Sequence, residues 1–367
     1  MMKKKLLAAA MVSFSATLMA QPGASIEDST VQKSGFTWSL FADTYYSYDF
    51  NKPENHTRPS FLYNHNRHNE INLNLALVKA SYSAKNVRPN VGLMAGTYAQ
   101  YNLAAEQELM QHVYEANVGV KISKKSNLWI DAGIMPSHIG YESAISKDNW
   151  TLTRSMAAEN SPYYEAGAKI TYTTKNDKVV VSGMVLNGWQ RIQRPVANNT
   201  LAVGTQLIIK PNSTTTLNWS TFIGNDKPDS VKQWRYFNNL YGIFQLTNTW
   251  GLTLGFDIGQ EQVSKGSSKL NSWYSPTVVV RFSPTANWAI AARGEYYSDK
   301  NGVIIATGTT NGFKTFGASL NVDRKINEHF WWRTEIRNFS SKDAIFAKQN
   351  GSTKNNATIT TSFAISF

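Results

Sequence analysis

Apolar and polar residues alternate along most of this chain with a period of two, as in strands whose two faces meet different surroundings. In a first segment Phe36, Trp38, Leu40, Ala42, Thr44, Tyr46 and Tyr48 share one face, against Thr37, Ser39, Phe41, Asp43 and Tyr45. The same alternation predicts strands over 36–48, 70–84, 90–101, 112–123, 128–136, 163–173, 179–188, 200–209, 215–224, 238–247, 251–262, 272–283, 288–298, 313–324, 329–339 and 356–367. Seven connections are short (85–89, 124–127, 174–178, 210–214, 248–250, 284–287 and 325–328) and the others are longer. Short and long alternate without a break, which places all turns at one rim and all loops at the other. The strand from Val179 is apolar at most positions on both faces, so its orientation stays open. In 70–84, Ile71, Leu73, Leu75 and Leu77 read outward and Asn72, Asn74 and Ala76 inward. That parity also puts Lys79 outward, near the turn rim, where its ammonium would snorkel.

The apolar face is the outer one. Leu252, Leu254, Phe256 and Ile258 alternate with Thr253, Gly255, Asp257 and Gly259, and Phe316, Ala318, Leu320 and Val322 with Thr315, Gly317, Ser319 and Asn321. Aromatics gather at strand ends, with Trp38, Tyr172, Phe282, Trp288, Phe330 and Phe367 at the turn rim and Tyr46, Tyr101, Tyr274 and Tyr296 at the loop rim. These are the two girdles expected at the headgroup levels of a membrane. A soluble two-sheet sandwich would not keep one polar face across nearly every strand. The pattern predicts an all-β fold, a closed antiparallel transmembrane β-barrel of about 16 strands, with short periplasmic turns and long extracellular loops. Barrels of roughly this strand number leave a water-filled lumen rather than filling themselves with side chains.

The two ends of the chain fit this picture. Lys3, Lys4 and Lys5 precede an apolar run from Leu6 to Met19, and Ala20 offers a cleavage site, so 1–20 reads as a secretory signal peptide. Residues 21–35 read as a flexible lead-in and 36–367 as the barrel. The last strand, ATITTSFAISF, resembles the closing strand of Gram-negative outer-membrane barrels. In those barrels a terminal Phe, here Phe367, is a recognition feature for the barrel-assembly machinery. Cysteine is absent, which excludes disulfides and thiol chemistry. The formal charge of +12 falls to +9 once the three signal lysines are set aside. Export and the lack of a continuous Lys/Arg cluster argue against nucleic acid as a partner.

Function is most legible in the longest connection, 137–162. The stretches GIMPSHIGYESAIS (133–146), NWTLTRS (149–155), ENSPYY (159–164) and Gly167, with DTYYSY (43–48) and NGWQRI (187–192), resemble the beta-barrel porin family described as OmpL-like. The resemblance spans most of the mature chain and implies an outer-membrane location and a porin activity. In general porins a long loop dips into the lumen. Here 137–162 is long enough to do so, with Gly140 as pivot, Tyr141 and Trp150 as anchors, and Glu142, Asp148 and Arg154 as charges at a constriction. The bland alternative is an ordered surface loop. General porins often trimerise, so the resemblance implies a homotrimer, although an outward face apolar all round does not mark an interface.

Inward parity selects the lining charges. It places Asp43, Glu70, Glu115, Asp131 and Glu165 inside on the first six strands, with Lys121 and Lys169, and Arg281, Arg293, Arg333 and Arg337 inside on strands twelve to fifteen, with Glu295, Asp323 and Glu335. An acidic wall carrying the long loop would then oppose an arginine wall and set up a transverse field; the alternative is local pairing of Arg293 and Arg333 with nearby carboxylates. The excess of basic residues suggests weak anion preference. His65 and His68 with Glu70 have metal-ligand chemistry, but Arg58 and Arg67 nearby disfavour a cation, so no metal and no cofactor are expected. Ser137–His138 is the only adjacent nucleophile–base pair and lacks an evident orienter, so no catalytic residue is expected. The chain therefore reads as a passive diffusion channel for small hydrophilic solutes or ions, embedded in membrane lipid and lipopolysaccharide. The alternatives are a non-conducting scaffold or surface receptor with a plugged lumen, and an outer-membrane hydrolase.

Overall fold

The structure, a computed structural model, describes residues 35–367, so the expected signal peptide and all but the last residue of the lead-in lie outside the described residues. The strands are β1 (Gly35–Asp49), β2 (Ile71–Ser83), β3 (Val87–Ala95), β4 (Val113–Lys121), β5 (Asn127–Pro136), β6 (Tyr164–Thr173), β7 (Val179–Leu186), β8 (Ala202–Asn212) and β9 (Thr215–Gly224). They continue with β10 (Arg235–Gln245), β11 (Trp250–Gln262), β12 (Leu270–Thr285), β13 (Trp288–Asp299), β14 (Phe313–Lys325) and β15 (Phe330–Ser341). A small hairpin of β16 (Phe346–Lys348) and β17 (Gly351–Thr353) follows, and then β18 (Asn355–Ser366). Each barrel strand pairs antiparallel with its sequence neighbours, and β18 pairs with both β15 and β1, closing a barrel of sixteen. Closure leaves no unpaired edge, which a strand in hydrocarbon could not tolerate. No helix among the described residues is long and apolar enough to cross a membrane.

The closing seam lies where the terminal alternation anticipates. Tyr45 stands opposite Ser362 and Asp43 opposite Ala364. Phe367 completes the seam by exchanging backbone bonds with Leu40 (3.0 and 2.9 Å), and its ring stacks on His329 at the turn rim.

Two expectations are corrected and one open question is settled. Strand three ends at Ala95, not 101: Gly96 takes a φ of 119°, and Thr97–Asn102 form a short helix, α1, so Tyr101 is not a strand-borne girdle residue. In β2 the register slips, with Asp43 opposite Leu75 but Thr44 opposite Leu73. Asn74 is the extra residue of this bulge, and both Asn74 and Leu75 are fully buried. One extra residue inverts every following side chain. Leu75, Leu77 and Lys79 therefore point into the barrel, and Val78 points out. Lys79 is no misfit, because it meets Glu115 at 2.6 Å. The open question of β7 is resolved by burial: Val180, Ser182, Met184 and Leu186 face inward, Val181 and Val185 outward.

Eight connections rise from the loop rim. Three matter for the lumen: L1 (50–70), L2 (96–112) and L3 (137–163). Side chains from L1, L2 and L3 complete two apolar clusters inside the barrel. One gathers Phe61, Ile139 and Met156 with Met184, Phe222, Phe313, Phe339 and Phe346. The other gathers Tyr98, Ala144 and Tyr163 with Phe41, Leu75, Leu77 and Met94.

Candidate functional site in the barrel lumen

L3 crosses the lumen. An irregular segment leaves most of its backbone N–H and C=O groups without partners, and burial requires that something else supply them. Inward side chains of the wall do so. The N–H groups of Thr153 and Met156 donate to the carboxylates of Glu335 and Glu295, each at 2.6 Å, and that of Leu152 donates to Asn321 Oδ1 at 3.1 Å. Arg293 donates to the Thr153 carbonyl (2.6 Å) and to Thr151 Oγ1 (2.8 Å). Arg333 donates to the carbonyls of Ser146 and Asn149. The His138 carbonyl accepts from Gln206 and Ser220, and the Gly140 N–H donates to Asn239. Two aromatic anchors use inward glycines as seats: Trp150 lies against Gly251 and Tyr141 against Gly255, where a Cβ would come within 2.6 and 2.8 Å of the rings.

The arginines of β13–β15 are thus occupied rather than facing water. Arg293, Arg333 and Arg337 are each no more than 2% exposed. Arg293 meets Glu335 at 2.8 Å and Glu295 at 3.3 Å, Arg337 meets Glu295 at 2.6 Å, and Arg333 meets Asp323 at 2.7 Å. Glu142 is not opposite this wall: L3 carries it across to within 3.7 Å of Arg293, where it also accepts from the backbone and hydroxyl of Ser155. Asp148 pairs with Lys147, and Arg281 lies beside the Trp150 ring.

L1 packs on top of L3. Glu159 of L3 accepts from the N–H groups of Tyr63 and Asn64, and Asn160 donates to the Phe61 carbonyl. Burial raises the Glu159 carboxyl above its ordinary range, and burial lowers the Arg154 guanidinium, which sits 3.1 Å over the Tyr163 ring. Arg58 donates to the His65 carbonyl, and His65 meets Asp43 at 2.9 Å. The buried guanidinium groups of this assembly (Arg58, Arg154, Arg293, Arg337) are equal in number to its carboxylates (Glu142, Glu159, Glu295, Glu335), so the loop assembly is close to neutral in itself.

Most of the partly exposed lumenal charges lie on the other wall, although Arg281 of β12 and Lys210 of β8 are partly exposed as well. Asp43 and Glu165 are buried against His65 and His138. Glu70 precedes β2 and pairs with Arg67, whose bidentate contact holds its carboxyl down at about 2. Between β2 and β6, however, Lys79, Arg88, Asn90, Asn117, Lys121, Trp129, Lys169 and Thr171 are all partly exposed. Arg88 reaches across β4 to Asp131 (2.8 and 2.6 Å) with its guanidinium over Trp129. Residue 119, beneath this bridge, is glycine because a Cβ there would meet Asp131 at 2.2 Å. Lys121 and Lys169 make no ion pair among the described residues. Parity reasoning missed Lys79 because of the bulge, and Arg88 because the third strand was begun too late; the alternation of Val87, Val91 and Leu93 already marks its true start. The lumenal roles of Arg58, His65 and Glu159 have no periodic signal.

The chemistry-bearing histidines are structural in their contacts. Ser137 donates to Glu165 rather than to His138, whose Nδ1 meets Glu165 at 2.7 Å and whose Nε2 meets the Thr221 carbonyl at 2.8 Å. No ring nitrogen is left to act as base toward the hydroxyl. Burial alone would lower the His138 pKa, and the adjacent Glu165 carboxylate reverses this, raising it above its ordinary value. His65, His68 and Glu70 diverge to Asp43, the Asp49 N–H and Arg67.

Comparisons agree with this architecture. Solved structures match with TM-scores near 0.6. An anion-selective porin from Comamonas acidovorans (TM-score 0.61, 8% identity) covers 91% of this chain and 100% of its own. The outer-membrane channel DcaP of Acinetobacter baumannii (0.59, 8%) covers 91% and 97%. The trimer form of OmpT, an outer-membrane protein of Vibrio cholerae (0.57, 10%), covers 91% and 100%. At such identities the likeness is one of fold. No curated protein matches the sequence. A family profile, in contrast, spans the whole barrel. Its match over residues 35–367 makes this chain a member of the outer-membrane family described as "Putative beta-barrel porin-2, OmpL-like".

Proposed function

We propose that this barrel is a passive diffusion channel for small hydrophilic solutes, with its conducting path along the β2–β6 wall and a weak preference for anions. The observation that carries this reading is the division of the lumen. L3 and L1 neutralise themselves against β13–β15, while Lys79, Arg88, Lys121 and Lys169 stay partly exposed on the opposite wall. Only Glu115 and Asp131 offset these cations, leaving two positive charges in excess. In a channel with low-dielectric walls an unbalanced lining charge raises the local concentration of the opposite ion. In this reading L3 serves as the constriction, which its contacts with Glu295, Glu335 and Asn321 support. The family and the porin neighbours support a non-enzymatic channel, and no step in this reading needs a cofactor. Assembly as a homotrimer, and recognition of Phe367 by the barrel-assembly machinery, belong to the same proposal.

The test is conduction by the purified, refolded protein in a planar bilayer under a salt gradient. Discrete steps with a reversal potential on the anion side are expected. Cation-selective steps would refute the wall assignment and leave the channel. A second reading, a non-conducting scaffold, is favoured by the depth of L1 and L3 packing, where Leu62, Leu152 and Met156 are fully buried. An inserted barrel without steps would establish it.

A further inference from the structure

On the face that meets lipid, β12–β15 end at the loop rim in a row unconnected with the lumen. The register pairs Tyr274 with Ser298 and Ser298 with Lys314. The ladder continues by one residue, the Lys342 N–H donating to the Lys314 carbonyl at 2.9 Å. Tyr274, Ser298, Lys314 and Lys342 thus lie side by side across four strands. Alternation turns Tyr274, Lys314 and Lys342 outward, with Ser298 covered between them: Thr315 and Ser341 of the next row are buried in the barrel, while Tyr274 and Phe316 are exposed outside. One row nearer the membrane centre stand Tyr296 and Phe316, directly paired, with the Tyr274 and Tyr296 rings 6.1 Å apart. Below them the outer face is apolar, with Val278, Val280, Leu320 and Ile336.

Two ammonium groups at directly opposed positions repel one another. Neither Lys314 nor Lys342 makes an ion pair among the described residues. The carboxylates nearby are committed elsewhere: Asp343 accepts from the backbone and side-chain amides of Asn311, and Asp299 accepts from the N–H groups of Val303, Ile304 and Ile305. A cation pair without a protein counter-charge, set directly above an aromatic belt, is the arrangement that a doubly anionic headgroup would complete.

We propose that the outward face of β12–β15 at the loop rim binds a phosphorylated glycolipid of the outer leaflet. Lys314 and Lys342 hold one phosphate between them, the Tyr274 hydroxyl donates beside it, and Tyr296 and Phe316 lie along the boundary between sugar and acyl chains. The experiment is native mass spectrometry of the full refolded barrel in neutral detergent. It is titrated with diphosphorylated lipid A, with the same lipid stripped of phosphate, and with inorganic phosphate as competitor. The wild type is expected to hold the phosphorylated lipid about ten- to thirtyfold more tightly than the stripped one. The double variant Lys314→Gln/Lys342→Gln loses that difference, while Lys265→Gln, on another loop, keeps it. Heat-modifiable gel migration checks that each variant is folded. Equal retention of the two lipids, or a double variant that still discriminates, would overturn the site. Displacement by millimolar free phosphate would overturn the lipid as its occupant.

Discussion

Replacing Arg293 by Met tests whether L3 is held by the arginine wall. The guanidinium donates to Thr151, to both oxygens of Thr153 and to Glu335, and lies 3.3 Å from Glu295 and 3.7 Å from Glu142. Methionine keeps much of the volume and removes all of these contacts, leaving Glu335 and Glu142 without their main counter-charge. Breaking a buried pair on one side costs about 3–5 kcal/mol, chiefly because the stranded charges remain. At about 1.4 kcal/mol per factor of ten, the equilibrium for L3 leaving the wall shifts by roughly two to three and a half orders of magnitude. The lumen should widen, so single-channel conductance in a planar bilayer rises above wild type, or appears where the wild type has none. Trypsin cleavage after Lys147, within L3, should rise in parallel. Adding Glu335→Gln removes one stranded carboxylate, so Arg293→Met/Glu335→Gln should recover part of the loop protection. Unchanged conductance together with unchanged protection of L3 would refute the account of the arginines as loop anchors.

Further outcomes follow from other contacts. Lys121→Glu/Lys169→Glu turns the β2–β6 excess from two positive charges to two negative, and the reversal potential in a salt gradient should change sign; an unmoved potential would place the path elsewhere. Gly251→Val drives a branched side chain into Trp150, and overpacking of this kind costs about 1–3 kcal/mol, read as a lower urea midpoint for unfolding in detergent. Against burial and, more weakly, Lys169, the Glu165 carboxylate raises the His138 pKa in the folded state, so its stabilisation is complete below the unfolded value of about 6.5 and is lost as pH rises through the folded one. The Tm gap between wild type and His138→Gln should accordingly be widest in mild acid and close toward alkaline pH. A gap that widens with pH would show the ring to be neutral.

The sequence by itself determined the strand count, the order of turns and loops, and the side that meets lipid. Each of these follows from local rules: the pleat alternates side chains, and an apolar row such as Leu252, Leu254, Phe256 and Ile258 has only one low-energy place when the alternative is a water-filled lumen. Tertiary structure decided what alternation cannot carry. The single extra residue at Asn74 turned Lys79 from lipid to lumen, because register is set by the partner strand and not by the segment itself. Val179 onward was ambiguous until the loop clusters supplied an apolar interior for Met184 and Leu186. The charges show the same division. Inward parity found Arg293, Arg333 and Arg337, but whether an inward arginine meets water or protein depends on where L3 goes. That path is chosen by unpaired backbone groups seeking acceptors on strands more than a hundred residues away, a long-range condition that leaves no period in the sequence.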